Sequence, residues 1–235
     1  MTQSYSNQYN ADYKTYLSKT YMTVALGLGI SAISAFIASI ILPIMMYRAP
    51  MFFFVLMIGM IIGEFAIAIN FSARLFTMSK KSAWACYIGY SVLTGLSFYT
   101  LFLYYDLGSV ALAFFSTLVM FVCMAIIGKT AKFNVYSVYG LLLPAVLAGA
   151  ITTLLNALIF HSPMIDLFIS FAGIILFLFM TAADAKKVQD LYNQSQYDKD
   201  LSDKLMIMSA MQLYLDFINI FVRVLRFMGR RRNDN

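Results

Sequence analysis

Seven apolar runs, each long enough to cross a bilayer, constrain this chain more than any other feature in its 235 residues. They cover approximately residues 22–46, 51–71, 83–104, 107–128, 138–160, 164–183 and 206–227. Each approaches or exceeds the roughly 20 residues that a hydrocarbon core of ~30 Å demands of a helix. Strands of a membrane barrel would be about half as long and would alternate in polarity. The expected fold class is therefore an all-α membrane protein, a bundle of seven transmembrane helices. A content of 61% hydrophobic and 12% charged residues excludes a soluble globular protein. The lipid bilayer is the first partner, and no nucleic-acid partner is expected. Residues 1–19 are rich in Tyr, Asn, Gln and Ser and read as a mobile cytoplasmic tail. Residues 20–229 form the membrane domain, and residues 230–235 form a basic C-terminal tail. No short apolar core with a small-residue cleavage site precedes the first run, so no processing is expected.

The last run differs from the rest. MIMSAMQLYLDFINIFVRVLRF carries charges at depths where charges are costly and mark function by default. At 100° per residue, Gln212, Asp216, Asn219, Arg223 and Arg226 fall within an arc of about 80°, opposite a face of Leu, Ile, Phe, Val and Tyr. A polar stripe of this kind must face protein or water. The C-terminal helix is expected to be central.

Charge sets the expected orientation. Of the 17 Lys and Arg residues, 11 fall on alternate segments: Lys14 and Lys19; Arg74, Lys80 and Lys81; Lys129 and Lys132; Lys186, Lys187, Lys199 and Lys204. The intervening loops hold only Arg48. This asymmetry places the N-terminus in the cytoplasm. Arg223, Arg226 and Arg230–Arg232 conflict with it if the seventh segment crosses fully, and agree if that segment re-enters. At about 33 Å of helix the segment is long enough to cross, so seven spans are expected.

Three acids do not belong to loops or tails: Glu64, Asp184 and Asp216. Glu64, the only glutamate, lies inside the second run, with Arg74 about 15 Å farther along the helix. The two cannot pair directly but can bracket a polar path, to which Gln212, Asn219 and Arg223 also belong. Gly59 and Gly63 precede Glu64 as a small-xxx-small pair that would admit a neighbouring backbone. Ser31, Ala35, Ala38 and Ser39 supply a small face on the first helix, and Pro144 is expected to kink the fifth span. Cys86 and Cys123 read as small apolar residues rather than a disulfide. His161 reads as a solvated loop residue without ligand partners. Residues 184–204 mix Asp and Lys and read as helix ends around a solvated turn.

Whether Asp184 and Asp216 meet depends on helix register. If they do, two carboxyls within hydrogen-bond distance in a low-dielectric site cannot both ionise cheaply, so they share a proton and titrate as a pair. Loss of that proton leaves like charges that push the sixth and seventh helices apart. The vacated oxygens suit calcium, so Asp184 and Asp216 are also the candidate metal ligands, and protons and calcium compete for them. The alternative is that Asp216 pairs structurally with Arg223 or with another helix's dipole.

At these residues the chain resembles bacterial members of the transmembrane Bax inhibitor motif family. The motif-bearing segments are QLYLDFINIFVRVLRFMG (212–229) and TAADAKK (181–187), supported by TYMTVALGLG (20–29), LTGLSFY (93–99) and the stretch from Glu64 to Arg74. The resemblance runs from Tyr16 onward. It implies seven helices with the last surrounded by the others, a pH-sensing Asp184–Asp216 pair, a calcium leak, and Glu64 and Arg74 as a pore-associated pair. It also implies a bacterial cytoplasmic membrane, no cofactor beyond permeant calcium, and a link to a membrane-bound protease. Ala183 stands where the family carries tyrosine, so the transition pH is expected to differ. An intramembrane aspartyl protease lacks its Gly-x-Gly-Asp context here, and a retinal pump lacks a lysine inside a span. The chain is thus not expected to be an enzyme. A proton-coupled transporter and a non-conducting regulator of the protease stay as alternatives.

Overall fold

The computed structural model describes residues 2–130, 132 and 134–229, so the basic tail at 230–235 lies outside the described residues. Eight α-helices follow one another: α1 Thr2–Arg48, α2 Pro50–Arg74, α3 Lys80–Ser97, α4 Tyr99–Tyr104, α5 Leu107–Thr130, α6 Val135–Leu155, α7 Pro163–Ser195 and α8 Lys199–Met228. A π-helical turn, Asn156–Phe160, extends α6. With α3 and α4 counted together, seven helical stretches are long and apolar enough to span a membrane.

The helix starts are written in the loops. A side-chain oxygen that accepts an otherwise unpartnered backbone N–H fixes where a helix begins. Ser79 accepts from Ser82 N, Asp106 from Ser109 N, Asn134 from Ser137 N, Ser162 from Ile165 N and Asp198 from Leu201 N. Pro50 and Pro163 occupy first-turn positions, where a missing N–H costs nothing. Asp106 also accepts from the Ser109 hydroxyl, and this hydrogen bond holds its carboxyl below the usual carboxylate range. A depressed carboxylate stabilises the fold above its unfolded pKa of about 3.9 and loses that contribution as pH falls through the folded value. Asp106→Ala is therefore expected to lower the thermal midpoint at neutral pH. The deficit should close on acidification, which melts in detergent at a series of pH values will read.

Within the spans, buried hydroxyls close on their own helices. Thr20 donates to Tyr16 O, Ser31 to Gly27 O, Thr117 to Ala113 O, Thr181 to Phe177 O and Ser209 to Leu205 O. In lipid no water is available to satisfy them, so the backbone does.

Two compact units emerge from the packing. The first holds Met1–Tyr104 with Leu191–Met211. There the small face of α1 meets α3: Ser31 donates to Ser91 O, and a Cβ on Gly95 would overlap the Ser31 backbone. Tyr87 donates to Thr23 O at 2.6 Å, and Ala38, Leu42, Phe53, Met60 and Tyr99 form an apolar cluster. Of the expected tail at 1–19, residues 2–19 are instead the start of α1. Tyr13 and Tyr16 are buried, with rings 5.4 and 5.2 Å from that of Tyr192. Composition misleads there because tyrosine counts as polar yet brings a large apolar ring.

The second unit holds Tyr105–Asp190 with Gln212–Asn235. Phe114 and Phe121 of α5 pack edge-on against Phe217 of α8 at 5.4 and 5.6 Å. Gly128 lies directly on the Ala182 backbone of α7, where any Cβ would overlap the carbonyl. The helix α6 continues through Pro144 and ends instead at the π turn, where the Asn156 side chain bridges Ser162 and His161 adopts a left-handed φ of 49°.

In α8, 67% of the most apolar window is buried, against 11–33% in the other six spans. Those six turn Phe36, Phe65, Leu141, Phe168 and similar side chains outward, as a lipid-facing surface must. The 30-residue α8 is unbroken and long enough to cross.

Candidate functional site

The two acids nominated from the sequence both lie in the second unit. Asp184 of α7 and Asp216 of α8 are 4% and 3% exposed and are close neighbours. The Tyr139 hydroxyl of α6 donates to Asp184 Oδ1. Thr181, one turn before Asp184, reaches Asp216, whose Oδ2 is buried with no hydrogen-bond partner among the described residues. The Lys187 ammonium lies over the Tyr139 ring, 5.1 Å from its centre. Three helices thus converge on two acids.

Local sequence explains the placement. Ala182, Ala183 and Ala185 flank Asp184 and are all buried, which lets α7 approach its neighbours closely. Gly128 of α5 completes that approach against Ala182. On α8, Phe217 beside Asp216 is locked by the α5 phenylalanines, which fixes the rotation of the helix. Tyr139 was not anticipated. A lone tyrosine near a span end is ordinarily an interfacial residue, and no spacing rule links it to α7.

The remaining expected site residues scatter. Glu64, in the first unit, accepts from the Ser97 hydroxyl at 2.7 Å. Arg74 ends α2 and is exposed, so the two remain apart as the spacing required. Gly59 faces open space and Gly63 meets only a Leu93 methyl, so the small pair before Glu64 admits no backbone. The close approaches occur at Gly95 and Gly128 instead; a small-xxx-small spacing does not say which neighbour lies opposite. Gln212 is half-buried. Asn219 donates to Leu215 O and accepts from Arg223 Nη1 at 3.3 Å. Arg223 therefore does not neutralise Asp216. Cys86 and Cys123 are free.

As a calcium site the pair is sparse. Calcium takes roughly six to eight oxygens, whereas two carboxyls and a phenol supply fewer. Among the described residues no three His, Cys, Asp or Glu side chains gather into a metal cluster. The donor set falls short of what a resident calcium ion takes.

Comparison with known proteins agrees with the sequence resemblance. A family model described as Inhibitor of apoptosis-promoting Bax1 matches residues 13–233. The Escherichia coli K12 protein called inner membrane protein YbhL is 31% identical over 229 residues, 96% of this chain and 95% of that one. An uncharacterized protein of Borreliella burgdorferi is 29% identical over 93% of each chain. Another, from Rickettsia prowazekii, is 29% identical over 99% of this chain and 96% of its own.

Proposed function

This chain belongs to the Bax inhibitor family, and we propose that it is a pH-sensitive calcium leak channel whose gate is the Asp184–Asp216 pair. It resides in a bacterial inner membrane with its N-terminus in the cytoplasm, a reading supported by the name of the Escherichia coli relative and by the lysine and arginine asymmetry.

The observation that carries this reading is the juxtaposition of two buried carboxyls from different helices. With one proton between them they form a hydrogen bond that ties α7 to α8. Without it, two unit charges about 4 Å apart repel by about 4 kcal/mol at an effective dielectric constant near 20. That is ample to shift an equilibrium between conformers separated by a few kcal/mol. The sign follows: low pH closes, rising pH opens, and calcium opposes closure by competing for the same oxygens. Tyr139 orients Asp184 so that its free oxygen meets Asp216.

Calcium efflux from proteoliposomes over a pH series tests this. Efflux should increase as pH rises. Flux absent at every pH would overturn conduction and favour the non-conducting regulator of a membrane-bound protease.

A further inference from the structure

A lysine near the end of a span ordinarily carries its ammonium to water or to a carboxylate. Lys187 of α7 takes another course. It is half-buried, and among the described residues no carboxylate lies within 4.0 Å of its Nζ. Its ammonium rests on the face of Tyr139, 5.1 Å from the ring centre, inside the range of a cation–π contact. The hydroxyl of that same ring is the donor to Asp184. Asp184 and Lys187 stand three residues apart on α7, a spacing that puts both on one face of the helix. One turn of α7 therefore holds Tyr139 of α6 at two points, and the ring keeps a positive charge beside the acids.

The other groups around the pair leave this charge without a rival. Asp184 feels Tyr139 from α6, Asp216 from α8 and Lys187 from its own helix. Asp216 meets Asp184 and the Thr181 hydroxyl. From α5, Gly128 and Phe121 pack toward α7 and α8, and Lys129 is exposed. Arg223, two turns farther along α8, is engaged by Asn219. Lys186 is offset from Asp184 by two residues, which turns it to a different side of α7. Among the described residues, Lys187 is thus the cation placed to act on the acids.

We propose that Lys187, held by the Tyr139 ring, sets the pH at which the Asp184–Asp216 gate opens. This rests on the gating reading above and adds to it a control over where on the pH axis the gate works. A positive charge beside two acids makes their joint ionisation less costly. Without it, like charge on the pair is harder to develop, and the gate opens at higher pH. The steepness stays, because the same single proton is released.

Calcium efflux from proteoliposomes, followed over a pH series, tests the assignment. Lys187→Gln should displace the profile upward by on the order of one pH unit, with its slope unchanged. Lys187→Arg, which keeps both the charge and the ring contact, should hold the wild-type position. Lys186→Gln removes an equal charge from the adjacent position and should leave the profile in place. The ring is tested apart from its hydroxyl. In a Tyr139→Phe background the ring contact survives, and Lys187→Gln should still displace the profile. In a Tyr139→Leu background the ammonium is released to water, and Lys187→Gln should do nothing further. A wild-type pH response that Lys187→Gln leaves in place overturns this proposal and spares the gating reading. A displacement equalled by Lys186→Gln also overturns it, by showing an effect of net surface charge. A wild type without any pH response overturns the gating reading, and this proposal with it.

Discussion

Asp216→Asn is expected to abolish the pH dependence of calcium efflux. In the wild type, one proton released per opening changes the open-to-closed ratio by at most about tenfold per pH unit. The amide cannot ionise, so no like charge develops beside Asp184 when the pH rises, and the helices lose the force that separates them. Asp184→Asn should flatten the profile equally, and the double variant should add nothing, because the two side chains act as one unit and their effects are not additive. Purified variants in liposomes with an entrapped calcium indicator, read across neutral pH, will decide it. An Asp216→Asn profile that keeps the wild-type slope removes the pair as the sensor, whatever the absolute flux.

The largest structural effect is expected from Gly128→Leu. A Cβ at Gly128 would coincide with the Ala182 carbonyl, which is backbone and cannot rotate away. Either α5 or α7 must move. Overpacking of this severity costs roughly 3 kcal/mol, a loss of about 6 °C or more in the thermal midpoint for a chain of this size. Because Ala182 precedes Asp184 by two residues, the displacement also moves one half of the pair, and the pH response of efflux should degrade with stability. Gly140→Ala is the control. Its Cβ meets nothing within 4 Å, and removing a helical glycine should leave the midpoint unchanged or slightly raised. Detergent melts of the three proteins will separate steric contact from loss of glycine as such.

The fold was largely legible because the bilayer imposes a length rule that sequence states openly: seven apolar runs became seven spans. The rank of α8 as the most buried helix was legible too, since a polar stripe on an apolar helix has nowhere else to point. Ends were less so. The polar start of α1 and the extension of α7 to Ser195 depend on tyrosine rings and caps that hydropathy does not weigh. In the site, Asp184 and Asp216 could be nominated but not joined, because their meeting rests on Gly128, the buried alanines of α7 and the phenylalanine contacts that set the rotation of α8. Tyr139 lies 45 residues from Asp184 and follows no periodicity that would announce it.

The hydroxyls of Thr117 and Thr181 carry a consequence for selectivity. Each commits its single hydrogen to a carbonyl of its own helix, which leaves only lone pairs to present to a visitor. Beside Asp216, the Thr181 oxygen would thus greet a positive ion with electron pairs, whereas Thr117 satisfies only its own helix.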